Sequence, residues 1–131
     1  MIRSRYILLL LALTLLPLIS QGKRSAPTPV PPVAQNGVVY TAPNDNGRVA
    51  FVIASDAKTG KELWRLMIYE TNIKPDLEED VQWVFITRLW FKGTSLLVRD
   101  ERSRCYLVNL ATKIVGRKSC YWFFLNLDLA G

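Results

Sequence analysis

Residues 48–69 read RVAFVIASDAKTGKELWRLMIY, and this stretch decides the fold class. Arg48 to Ser55 is nearly continuous in apolar, strand-favouring residues, which suits a central strand covered on both faces. Asp56-Ala57-Lys58-Thr59-Gly60 then reverses the chain. The Asp56 carboxylate is placed to accept from the backbone amides that follow it, and Gly60 tolerates a positive φ. Lys61 to Tyr69 returns in alternation, so Trp64, Leu66 and Ile68 share one face and point to the core. A near-continuous apolar strand, a turn opened by Asp56 and closed by Gly60, and a returning strand of period two make a hairpin of an antiparallel sheet.

On the N-terminal side of this hairpin, Val38 to Thr41 forms a short strand, and Pro43-Asn44-Asp45-Asn46-Gly47 is dense turn chemistry. Thr71 to Asp80 is the one long interruption. Its Pro75 followed by Asp76, Glu78, Glu79 and Asp80 suits a single helical turn, because acidic groups are favoured at a helix start and Pro is tolerated there. Val81 to Phe91 alternates again, with Val81, Trp83, Phe85, Leu89 and Phe91 on one face and Gln82, Arg88 and Lys92 on a wet one. Ser95–Asp100, Arg104–Leu110 and Ile114–Ser119 complete the pattern. The expectation is all-β: a single small antiparallel meander of six to seven strands over residues 36–120, shaped as a propeller-blade-like sheet or a partly closed barrel.

The flanks read differently. Residues 1–22 have a basic start at Arg3 and Arg5, an apolar run from Tyr6 to Ile19 and small residues at Ser20 and Gly22, the layout of a secretory signal peptide. The apolar run is short for a bilayer span, although an uncleaved anchor is the alternative. Residues 23–35 hold four prolines between Lys23 and Val33 and are expected to be an extended tether. Residues 121–131 form an apolar tail that either docks on its own domain or offers itself to a partner. Export to the periplasm or the medium is the expected localisation.

Cys105 and Cys120, both beyond the signal, would meet an oxidising compartment. A two-residue turn between Leu110 and Lys113 pairs Cys105 with Lys118 and leaves Cys120 diagonal to it, whereas a four-residue loop sets the cysteines opposite each other. A disulfide and two free thiols, able to pair between chains, both remain open.

The formal charge is +6, and it is uneven. Residues 44–80 carry five basic and eight acidic side chains, and residues 88–118 carry eight basic and two acidic. Arg88, Lys92, Arg99, Arg102, Arg104, Arg117 and Lys118, with Trp90, Phe91 and Tyr106 among them, form a candidate anion-binding set for a polyanion or a membrane surface. A solvated basic face is the plainer reading of the same residues.

The chain has no histidine, which removes the commonest general base, the commonest neutral metal ligand and every histidine-dependent triad. Thr59-Gly60-Lys61 fails the phosphate-loop pattern, because Ser55 and Glu62 stand where Gly and Ser or Thr are needed. Asn44-Asp45-Asn46-Gly47 fails the calcium-loop pattern, because Ile53 stands at the twelfth position. Asp76, Glu78, Glu79 and Asp80 cluster on one loop, the usual arrangement of a solvated face. The sequence thus gives no catalytic residue, no metal site and no cofactor, and points to a non-enzymatic binding module that acts through a sheet edge, its apolar tail or its basic half.

The segment Ala54 to Trp64 resembles the repeat of quinoprotein-type β-propellers, in which an Asp-x-x-Thr-Gly-Lys turn leads into a strand bearing Trp. The resemblance implies that Asp56, Thr59 and Gly60 build a turn and that Trp64 docks one blade on another. Asn109-Leu110-Ala111-Thr112-Lys113 echoes that turn 53 residues later. A propeller needs four or more four-stranded blades, and this chain has length for two at most, so no cofactor site carries over. Residues 36–118, with Asp80 to Thr87 as the shared feature, also look like short exported bacterial proteins of unassigned role, which implies export and a blade-like sheet.

Overall fold

In a computed structural model, residues 24–121 are described. The expected signal at 1–22 and the tail beyond Tyr121 lie outside the described residues. Strands β1 (Val33–Gln35), β2 (Val38–Thr41), β3 (Val49–Asp56) and β4 (Glu62–Glu70) form one four-stranded antiparallel sheet in sequence order. Strands β5 (Ile86–Lys92), β6 (Ser95–Asp100), β7 (Cys105–Asn109) and β8 (Val115–Lys118) form a second of the same kind. The described chain is all-β. It is not the single meander of six to seven strands or the partly closed barrel that the alternation suggested: eight strands divide into two unclosed sheets.

Two local features cause the difference. Asn36 and Gly37 adopt positive φ, 53° and 75°, and make a two-residue hairpin turn that pairs β1 with β2. Asn-Gly favours that left-handed backbone. The first strand therefore begins inside the stretch read as a tether. The second feature is the connection 71–85, which carries the chain from one sheet to the other.

That connection also corrects the expected strand Val81–Phe91. Asp80–Gln82 is a 3-10 turn, Val81 is 53% exposed, and β5 starts only at Ile86. The Gln82 side chain closes the loop on itself: its Oε1 accepts from the Lys74 N–H at 2.7 Å, and its amide donates to the carbonyls of Lys74, Leu77 and Glu78. A β-bulge between Ile86 and Arg88 then shifts the parity. Ile86 and Leu89, three apart, both enter the core, which strict alternation forbids.

The sheets stack through one hydrophobic core. Val52, Ala54 and Ile68 from the first meet Leu89, Leu96, Val98 and Val108 from the second. Trp64 and Leu66 pack against the same cluster, on the face that the spacing assigned to them. Gly47 is needed at the sheet junction, because a Cβ there would lie 2.2 Å from the Trp83 Cβ and 2.8 Å from the Trp83 backbone. Its carbonyl accepts from the Val84 N–H and from the Thr71 hydroxyl, at 3.0 and 2.8 Å.

Cys105 and Cys120 are joined as a disulfide, with their Cα atoms 5.3 Å apart. The ladder nevertheless pairs Cys105 with Lys118, the register in which Cys120 was expected to fall out of reach. The ladder ends at Lys118, and the chain turns helical at Cys120, which brings its sulfur back over Cys105.

Candidate functional site

The two echoing turns have the same hydrogen bonds. In the first, Asp56 Oδ1 accepts from the N–H groups of Lys58 and Thr59 at 2.8 and 2.9 Å, and Thr59 Oγ1 accepts from the Lys61 N–H at 3.2 Å. In the second, Asn109 Oδ1 accepts from Ala111 and Thr112, both at 3.0 Å, and Thr112 Oγ1 accepts from Ile114 at 3.4 Å. The left-handed position belongs to Gly60 (φ 73°) in one and Lys113 (φ 58°) in the other. The amides of Thr59 and Lys58 hold the Asp56 carboxyl below the ordinary carboxylate range.

Trp64 lies at the seam between the sheets. Its ring centroid is 5.8 Å from that of Tyr40, which in turn meets Phe91 edge-on at 5.5 Å. Lys113, from the second turn, sets its ammonium 5.4 Å from the Trp64 ring. The Gln35 side chain also reaches the Gly93 carbonyl, at 3.3 Å.

The seven candidate basic residues do not form one patch. Arg88, Arg99, Cys105 and Lys118 are successive ladder partners. Paired residues share a face, so the three cations lie in a row on the far side of the second sheet, with Lys92 further along the same side of β5. Arg88 also lies over the Trp90 ring, 5.1 Å from its centroid. Arg117 pairs with Tyr106 on the opposite face, and Arg102 and Arg104 belong to the turn after β6. Arg104, Arg117 and Lys118 all line an open hollow of about 330 Å³ beside the disulfide, whose lining includes Ser103 and Ser119 and no acid.

One charge in that hollow is already matched. Asp100, 1% exposed, accepts from the Arg102 and Arg104 amides at 2.9 Å each and from Arg104 Nε at 2.6 Å. Beside it Tyr69 and Tyr106 stack at 5.1 Å, and Tyr69 donates its hydroxyl to the Val84 carbonyl at 2.9 Å. Burial, reinforced for Tyr69 by the Asp100 charge, raises both phenol pKa values, so these hydroxyls stay protonated. This is a structural corner.

Sequence reasoning missed Arg24. It donates to the Trp83 carbonyl at 2.7 Å, pairs with Glu101 and lies over the Phe85 ring, which fastens the Pro-rich segment to the second sheet. Only the presence of a cation next to an apolar domain could have hinted at it. The acidic loop does not converge: Glu79 pairs with Arg48 at 2.6 Å. Among the described residues no group of three or more His, Cys, Asp and Glu side chains could hold a metal ion. No described helix is long and apolar enough to cross a membrane.

The sequence matches no family model and no curated protein. The fold, the seam and the hollow are therefore the ground for a functional reading.

Proposed function

We propose that the chain is a non-enzymatic interaction module of an exported protein, built as two tandem propeller-type blades. The carrying observation is the identical hydrogen bonding of the Asp56 and Asn109 turns in two successive four-stranded meanders, with Trp64 between them. Such a repeat buries a face only by stacking on a neighbour. A stack of two leaves one face of each sheet without a neighbour among the described residues. The disulfide fits a compartment outside the reducing cytosol.

Faces suit a partner better than edges here. β1 and β8 are short, β5 carries a bulge with Arg88 and Lys92, and β4 carries Glu62, Arg65 and Glu70. These devices discourage strand addition. The test is a native gel of the exported fraction: a Leu63→Glu/Met67→Glu variant is expected to lose an associated band while keeping its thermal transition. Retention of the associated band by the variant would overturn the reading.

A second reading rests on the hollow at Arg104, Arg117 and Lys118, and on the Arg88–Arg99–Lys118 row, as a site for an anionic polymer. Arg117→Ser/Lys118→Ser is expected to elute from heparin at lower salt than the wild type. Elution of both at one salt concentration rules that site out.

A further inference from the structure

Ladder pairing sorts the far side of the second sheet into rows that cross its strands. Arg88, Arg99, Cys105 and Lys118 make the first, Trp90, Leu97, Leu107 and Gly116 the second, and Lys92, Ser95 and Asn109 the third. An apolar row thus lies between two polar ones, both of which carry cations.

That apolar row is already out of water. Leu97 is 0% exposed and Cys105 1%, while Trp90 and Leu107 are half-buried. The core between the sheets does not account for this, because Leu97 and Cys105 form a separate cluster against which Trp90, Leu107 and Cys120 pack. A leucine on a solvated sheet face keeps the end of its side chain wet. Leu97 has instead the burial of a residue on a covered face.

The chain has a segment moored at this spot. The disulfide holds Cys120 against Cys105, with their Cα atoms 5.3 Å apart, and two residues along β7, about 7 Å, lead from Cys105 to Leu107 in the apolar row. Tyr121 turns to water, 79% exposed, so the segment able to reach the row is Trp122 to Gly131, which lies outside the described residues. Six of its ten residues are large and apolar: Trp122, Phe123, Phe124, Leu125, Leu127 and Leu129. The row spans three strand spacings, about 14 Å, and ten residues cover that length even at the about 1.5 Å per residue of a helix. Charge agrees as well. The one charged residue of the segment is Asp128, and the flanking rows hold Arg88, Arg99, Lys118 and Lys92.

We propose that residues 122–131 lie across the Trp90–Leu97–Leu107 row as the cover of the second sheet's far face, moored there by the Cys105–Cys120 bond. The proposal goes beyond the interaction-module reading and stands without it. It assigns the apolar tail to the chain's own domain. The outer face of the first sheet, where Leu63 and Met67 are each 50% exposed, then remains the open one.

The full chain is purified with a photo-reactive phenylalanine analogue in place of Phe123 in one preparation and of Phe124 in another, so that neighbouring positions both report. After irradiation the protein is reduced and digested with trypsin, and the adducts are mapped by mass spectrometry. An adduct of single-chain mass to residues 89–99 or 105–113 from at least one position, with a yield that falls several-fold in Cys120→Ser, supports the proposal. An adduct to residues 49–70, an adduct only with a second chain or another protein, or no adduct from either position overturns it. So does an undiminished yield in Cys120→Ser, which would show that the bond moors nothing.

Discussion

The ammonium of Lys113, in the last turn of the second sheet, sits 5.4 Å from the ring of Trp64 in the first. The two sheets are thus held by a contact between the hairpin device of one and the docking aromatic of the other. Cation–π pairs contribute about 0.5–1 kcal/mol at exposed sites, and large-to-small core changes at aromatic residues cost about 3–5 kcal/mol. Trp64 is only partly buried, so Trp64→Ala is expected to cost about 2–3 kcal/mol and Lys113→Ala less than about 1 kcal/mol. Urea denaturation of both single variants and the double variant gives the coupling, expected to be favourable; strict additivity would show that the contact contributes nothing.

Acid is expected to loosen one turn and spare the other. Asp56 has a lowered carboxyl pKa because the folded turn hydrogen-bonds its ionised form, so its contribution is present above the unfolded-state value and is lost as pH falls through the lower folded value. Asn109 makes the same bonds without a titrating group. In an NMR titration the Lys58 and Thr59 amide signals should shift with a midpoint below 3.8, while those of Ala111 and Thr112 stay still. Asp56→Asn should abolish the shift.

Reduction should weaken the fold without destroying either ladder. The Cys105–Cys120 bridge closes a separation of 15 residues, for which the chain-entropy model gives about 3 kcal/mol. The urea midpoint should therefore fall on adding reductant and match that of Cys120→Ser. A wild-type midpoint indifferent to reductant would mean that the thiols are not paired in solution.

Gly47→Ala should be among the most damaging single substitutions. The added methyl meets the Trp83 Cβ and backbone, and the obstacle is chain rather than a movable side-chain end. Overpacking costs about 1–3 kcal/mol and sometimes more; the upper end is expected here, read as a drop in thermal midpoint. A variant as stable as the wild type would show that the 71–85 connection sits elsewhere.

Much of the architecture was legible wherever burial alone set the pattern. β2 and β6 lie where the residues predict them, and β3, β4, β7 and β8 lie within one residue of prediction at each end. The split into two sheets was not legible, because alternation is a property of a strand and says nothing about which strand pairs with it. Val81 to Phe85 mimicked a strand because Gln82 and Trp83 alternate polar and apolar for another reason, the loop that the Gln82 amide closes. The disulfide was left open because its geometry depends on the chain leaving the ladder after Lys118. Arg88, Arg99 and Lys118 were read as basic, but their common row emerges only from the register.

The described chain is fastened at both of its ends to the same sheet, by Arg24 at Trp83, Phe85 and Glu101 and by Cys120 at Cys105. Tension applied between those ends would run through the second sheet. The first, with its oily outer surface, hangs outside that load path and feels a pull only after the Arg24 clasp has let go.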